Sequence, residues 1–304
     1  MLEDGGGGHV SNSSDSKPAG PENSRRNPHR VKYAREISAV GARVRRLELP
    51  FNRHGIDPYG VRQRDLARMF SLFGLAYRYY FRVAVTGVDH VPARGRAMLV
   101  GNHSGGYAID GAMVVASLFF DKDPPRLVQG MVDKFVNRLP FASQWSSRLG
   151  QFTGLPEHAE RLLGDGRLLL VFPEGARGTA KLYPQRNTLV EFGAGFMRLA
   201  LATRTPIIPF GFLGGGEAIP TIANLYKVGQ FVGLPYIPIT PYILPVPRPT
   251  PLRIHYGEPM VFESTGNEDD DVVDGYVQRV KDRVRTLLDH GGARASGPPR
   301  EAKS

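Results

Sequence analysis

Apolar positions along this chain fall into two kinds of pattern. Short unbroken runs, RVAVTGV (82–88), AMLVG (97–101), RLVQGMV (126–132), RLLLVFP (167–173), TPIIPFGF (205–212) and LRIHYG (252–257), are bounded by Gly, Pro or charge, which predicts buried strands. Between them apolar residues recur at three-and-four spacing and predict helices over 63–81, 110–120, 133–147, 157–164, 187–203 and 272–289. The last is the clearest, with Val272, Val273, Tyr276, Val277, Val280, Val284, Leu287 and Leu288 at three-and-four spacing and Asp, Lys and Arg on the opposite face. Strands separated by helices predict an α/β fold, a single domain with a mostly parallel central sheet flanked by helices. Ligands of such sheets sit at the carboxyl ends of strands.

The ends of the chain read differently. Residues 1–28 are rich in Gly, Ser, Asn and Pro and cannot bury enough surface to offset ordering entropy, so a disordered tail is expected there and again over 291–304. Residues 29–81 read as a basic arm and an amphipathic helix, and 82–290 as the main domain. No window reaches the roughly eighteen apolar residues of a spanning helix, and the N-terminus lacks the apolar centre of a secretory signal, so a cytoplasmic protein is expected.

Charge and cysteine content narrow the chemistry. The chain has no Cys, which excludes disulfides, thiolate nucleophiles and Cys-based metal sites. Its net charge of +10 favours an anionic partner. From Arg25 to Arg46 eight basic residues face a single acid, Glu36. That arm is either a solvated, partly helical segment or an adhesive for anionic lipid, each cation near a membrane contributing about 1 kcal/mol. No nucleic-acid partner is expected, since no zinc-finger, ribonucleoprotein or helix-turn-helix signature is present.

Two polar constellations follow strong strands. In GNHSGGYAIDGAM, His103 lies just past the end of AMLVG, and Asp110 opens the next helix. Ser104, Gly105 and Gly106 allow the chain to turn back, so the carboxylate can hold one ring nitrogen and raise the basicity of the other, the arrangement of a general base. The alternative is that Asp110 only caps its helix and His103 is an ordinary loop residue. In RLLLVFPEGARG, Glu174 and Arg177 emerge at the same edge if the strands are parallel. Arg177 then either holds a phosphate or carboxylate, or forms a structural ion pair with Glu174.

With their order, these segments resemble the glycerolipid acyltransferase superfamily, which includes glycerol-3-phosphate and lysophosphatidate acyltransferases. NHSGGYAID is similar to its Asn-His…Asp block, VFPEGARG to its Phe-Pro-Glu-Gly-Thr-Arg-Ser block, LGQFTGLPEHAERLLGDG to the segment between them, and TPIIPF to its closing block. The resemblance implies a glycerol-3-phosphate acyltransferase-like fold, with His103 deprotonating the acceptor hydroxyl and Asp110 orienting it. It implies further that Glu174, Gly175 and Arg177 shape the acceptor site, with Asn102, Gly105, Gly106 and Pro173 joining them against substrate. The hydroxyl would attack a thioester, acyl coenzyme A or acyl carrier protein, as co-substrate, with no cofactor or metal. The oxyanion would be met by amides following Gly105 or around Gly175. Two departures stand out: six residues separate His103 from Asp110 where the family's usual block has four, and Ala176 and Gly178 replace its Thr and Ser.

A lipid acceptor implies a protein peripheral to the inner face of a membrane. LARMFSLFGLAYRYYF (66–81) either lies in the interface or packs on the core. The stretch from Ile219 to Val246 has Lys227 as its sole charge, and it lines an acyl groove, dips into lipid or packs irregularly on the sheet. Competing activities are a thioesterase or esterase with Ser104 as nucleophile, and a lipid-binding homologue without catalysis.

Overall fold

A computed structural model describes residues 38–105, 109–132, 148–153, 156–231, 233–243, 246–263 and 268–293. The predicted helix over 133–147, both tails up to residue 37 and from 294, and Gly106 lie outside them.

All six strands read from the sequence are present: β1 (Ala84–Thr86), β2 (Ala97–Gly101), β3 (Val128–Val132), β5 (Leu168–Val171), β6 (Ile207–Leu213) and β9 (Arg253–Tyr256). With the short β4 (Phe152–Thr153) they form a seven-stranded sheet in the order β1-β9-β6-β2-β5-β3-β4. Strands β6, β2, β5, β3 and β4 are mutually parallel, whereas β9 runs antiparallel to β6 and carries β1 with it. A separate hairpin pairs β7 (Ala223–Leu225) with β8 (Ile237–Ile239).

The unbroken apolar runs have a simple cause: both faces of the sheet are covered. Because strand side chains alternate, Leu99 of β2 and Leu168 and Leu170 of β5 enter one core with the helices Gln63–Leu75 and Ile109–Phe120. Met98, Val100, Leu169 and Val171 enter the other, with the helices Pro156–Gly164, Gly195–Thr203 and Asp270–Ala293.

The helix Gln63–Leu75 continues as a π-helical turn over Ala76–Tyr80, so the predicted 63–81 segment is real but changes its winding. It packs on the core through Leu66, Met69, Phe70 and Tyr77, with the Phe70 and Phe119 rings stacked 3.7 Å apart. The end of the basic arm is also engaged. Val40, Val44 and Leu47 are buried, and the Arg43 guanidinium donates to the carbonyls of Phe119 and Lys122, satisfying groups that the end of the helix Ile109–Phe120 leaves free.

Two boundaries differ from the pattern. The predicted helix 187–203 begins only at Gly195, because Val190 N–H donates to the Glu174 carboxylate and Gly193 N–H to the Pro173 carbonyl, drawing 187–194 against the sheet edge as a loop. The last helix extends through Ala293, past the expected start of the tail at 291.

Candidate active site

Parallel β2 and β5 deliver their following residues to one edge, which places His103 beside Glu174. Strand β2 ends where Gly101 meets β6, since a Cβ there would lie 2.4 Å from the Phe210 ring. Asn102 then clamps the two strands beyond their ladder. Its side chain donates to the Phe212 carbonyl at 3.0 Å and accepts from the Phe212 N–H at 2.8 Å. Both ends of the amide are thereby committed to β6 rather than turned toward a ligand.

His103 and Asp110 come together. His103 Nδ1 lies 2.9 Å from Asp110 Oδ2, and both residues are buried. The same oxygen accepts the Ser104 N–H at 3.1 Å, and Oδ1 accepts the Gly111 N–H at 2.8 Å. A carboxylate only accepts, so Nδ1 carries the ring proton and Nε2 presents its lone pair. Among the described residues Nε2 has no hydrogen-bond partner. Gly105 makes the turn with φ of +86°, and a Cβ there would stand 3.0 Å from the Lys181 carbonyl oxygen.

The second constellation does not form the Glu174–Arg177 ion pair. Glu174 is buried, and its partner is Lys181: Nζ donates to Glu174 Oε2 at 2.6 Å, to Oε1 at 2.9 Å and to the His103 carbonyl oxygen at 2.7 Å. Glu174 also accepts the His103 N–H at 3.2 Å and the Val190 N–H at 3.1 Å. Both main-chain polar groups of His103 are thus held by one buried ion pair. Burial pushes the Lys181 ammonium below the usual lysine range, and the Glu174 carboxylate opposes that shift. Gly178 leaves room for this cluster, since a Cβ there would be 2.5 Å from Glu174 Oε2 and 2.9 Å from His103 Cβ.

Arg177 is exposed, pointing away from Glu174 on the short helix Gly175–Thr179. Pro173 is half-buried and serves through its carbonyl, and the Gly175 N–H is taken by the Phe172 carbonyl at 3.0 Å. Lys181 and Phe172 were not singled out by sequence reasoning. Phe172 stacks on the His103 ring at 3.9 Å between centroids and meets Phe210 edge-on. A signal for Lys181 existed, because a carboxylate directly after a buried strand needs a cation, and Lys181 follows Glu174 by seven residues with Arg177 its only rival in between.

Comparison with known proteins gives a consistent result. A family model described as Acyltransferase matches residues 82–213. An uncharacterized protein of Mycobacterium tuberculosis is 32% identical over 247 residues, covering 77% of this chain and 67% of that one. A Bos taurus protein named DGAT1/2-independent enzyme synthesizing storage lipids is 24% identical over 214 residues, 67% of this chain and 58% of its own. The crystal structure of the 1-acyl-sn-glycerophosphate acyltransferase PlsC from Thermotoga maritima superposes with a TM-score of 0.50 at 16% identity, covering 86% of this chain and 98% of that chain, and so shares the fold.

Proposed function

This chain belongs to the glycerolipid acyltransferase superfamily, and we propose that it moves a fatty acyl group from acyl coenzyme A or acyl carrier protein to a hydroxyl of a glycerolipid or lysophospholipid. The observation that carries this reading is the His103–Asp110 pair at 2.9 Å, with Nε2 unengaged among the described residues at the carboxyl edge of the sheet.

Nε2 takes the proton of the acceptor hydroxyl as its oxygen attacks the thioester carbonyl carbon. Asp110 stabilises the imidazolium that forms. The tetrahedral intermediate then collapses, the carbon–sulfur bond breaks, and the departing thiolate recovers the proton from His103. No covalent acyl-enzyme is required, which agrees with a chain that lacks Cys. The Gly175 amide is already spent on the Phe172 carbonyl, and in this reading the amides following Gly105 supply donors for the oxyanion.

Arg177, exposed at the same edge, binds an acceptor phosphate in this reading. In this reading the protein works at the inner face of a membrane. No helix among the described residues is long and apolar enough to cross a bilayer, and membrane contact in this reading is peripheral. Hydrolysis through Ser104 is disfavoured by its placement: Ser104 Oγ lies 1.9 Å from where a Cβ on Gly215 would sit, and among the described residues no hydrogen bond joins it to the His103 ring.

The test mixes purified protein with long-chain acyl coenzyme A and a panel of acceptors and follows free thiol and lipid product. Acceptor-dependent thiol release, lost in His103→Ala with the fold retained, is expected. Acceptor-independent release would show hydrolysis, and lipid binding without release a non-catalytic homologue. In Arg177→Ala, transfer to phosphorylated acceptors should fall more than transfer to uncharged ones.

A further inference from the structure

The excursion between β6 and β9 presents an apolar surface that the catalytic proposal does not use. It leaves the carboxyl end of β6, the edge that carries His103, and is tied to the site: Tyr183 N–H donates to the Thr221 carbonyl and Asn224 Nδ2 to the Ala180 carbonyl, each at 2.7 Å. One side of it is ordinary interior, with Ile219, Thr221, Tyr236 and Thr240 buried. The other side turns Ile222, Tyr226, Val228, Phe231, Ile243 and Val246 outward, with Phe231 92% and Ile243 76% exposed.

This outward face is built on a firm base. The helix Tyr226–Phe231 folds back on the β7–β8 hairpin so closely that a Cβ on Gly229 would stand 2.5 Å from the Tyr236 backbone, and the Tyr226 and Tyr236 rings pack 6.0 Å apart. Phe231 is therefore held outward at the end of a packed element. Apolar exposure on this scale marks an interaction surface.

Charge identifies the partner. From residue 218 to 257 the chain contains no acidic residue, while Lys227 sits within the apolar face and exposed Arg248 at its root. The carbonyl of neighbouring Pro247 accepts the Tyr80 hydroxyl at 2.5 Å, which joins this region to the π-helical turn Ala76–Tyr80, where Tyr79 is also exposed. A segment with exposed apolar and tyrosine side chains, two exposed cations and no acid of its own complements an anionic bilayer surface.

We propose that the outward face carried by Ile222, Tyr226, Val228, Phe231 and Ile243 is a membrane-docking surface that inserts Phe231 and Ile243 into an anionic lipid surface and thereby turns the His103 edge of the sheet toward it. The inference rests on the reading that the acceptor is a lipid.

The absence of native Cys permits a direct test on the full chain. A nitrobenzoxadiazole label on Phe231→Cys is compared with one on Asp89→Cys, an exposed position at the opposite sheet edge, using vesicles of phosphatidylglycerol and phosphatidylcholine. Emission at residue 231 should rise severalfold and shift to the blue on vesicle addition, with residue 89 unchanged. The unlabelled double variant F231S/I243S, checked for folding by circular dichroism, should lose vesicle partitioning by about tenfold or more. A silent label at 231 while the protein floats with vesicles, or undiminished flotation of the double variant, would overturn the proposal. So would concentration-dependent burial of the label without lipid, which would assign the face to a second copy of the chain. Docking is read without turnover, so a chain that docks but transfers nothing sinks only the catalytic reading.

Discussion

The His103 imidazole lies flat against the Phe172 ring, with centroids 3.9 Å apart and planes 12° from parallel. Asp110 fixes the direction of the ring within its plane, and Phe172 fixes the plane. Together they aim Nε2. Phe172→Leu keeps an apolar neighbour but removes the flat support, and should lower kcat about tenfold with a smaller change in KM. Steady-state kinetics beside a thermal melt would check this, and an unchanged kcat in a folded variant would count against the aiming role.

Restoring the family's serine at residue 178 should harm this protein. The Cβ would fall 2.5 Å from Glu174 Oε2 and 2.9 Å from His103 Cβ, so the buried pair and the histidine backbone cannot both keep their places. Gly178→Ser is expected to reduce activity by about a hundredfold or to lower the yield of folded protein. Wild-type activity at wild-type stability would show that the cluster yields more than close packing suggests.

Lys181→Met leaves the Glu174 carboxylate buried without its cation and should destabilise the fold by about 3–5 kcal/mol. Adding Glu174→Gln removes the stranded charge and should recover part of that loss. Activity should stay low in the double variant, because the His103 carbonyl has still lost its donor. Denaturant unfolding and kcat, measured on all four members of the cycle, separate these effects. Parallel recovery of stability and activity would make the pair a packing feature only.

Asn102→Ala deprives the Phe212 N–H and carbonyl of their partners inside the protein, at a cost on the order of 3 kcal/mol. The urea midpoint should fall at constant slope. A shift below about 0.5 kcal/mol would mean that water replaces the clamp.

The hydrophobic pattern located the sheet because both faces of each central strand are covered, leaving the whole of LLLV or IIPFGFL apolar. It did not reveal β4, β7 and β8, which have two or three residues each and sit at an edge or outside the sheet. Nor could local spacing show that 187–194 is loop, since what unwinds it is Glu174, a residue from another element. The His–Asp pair was legible as a strand end followed by a helix start. That Glu174 needs a cation was legible, but the choice between Arg177 and Lys181 was not: Arg177 is exposed on the short helix Gly175–Thr179, and Lys181 returns to the interior to reach the His103 carbonyl of the neighbouring strand end.

Asp110 reaches His103 although the connection between them is longer than usual, because the carboxylate rides on the first turn of the helix Ile109–Phe120, whose position is set by the core beneath it. Connection length and dyad geometry are therefore decoupled. Searches that count residues between histidine and aspartate will pass over chains built this way. A criterion that asks for an acid opening the helix that follows a histidine-tipped strand would recover them, and natural variation in that connection can leave the proton-transfer pair undisturbed.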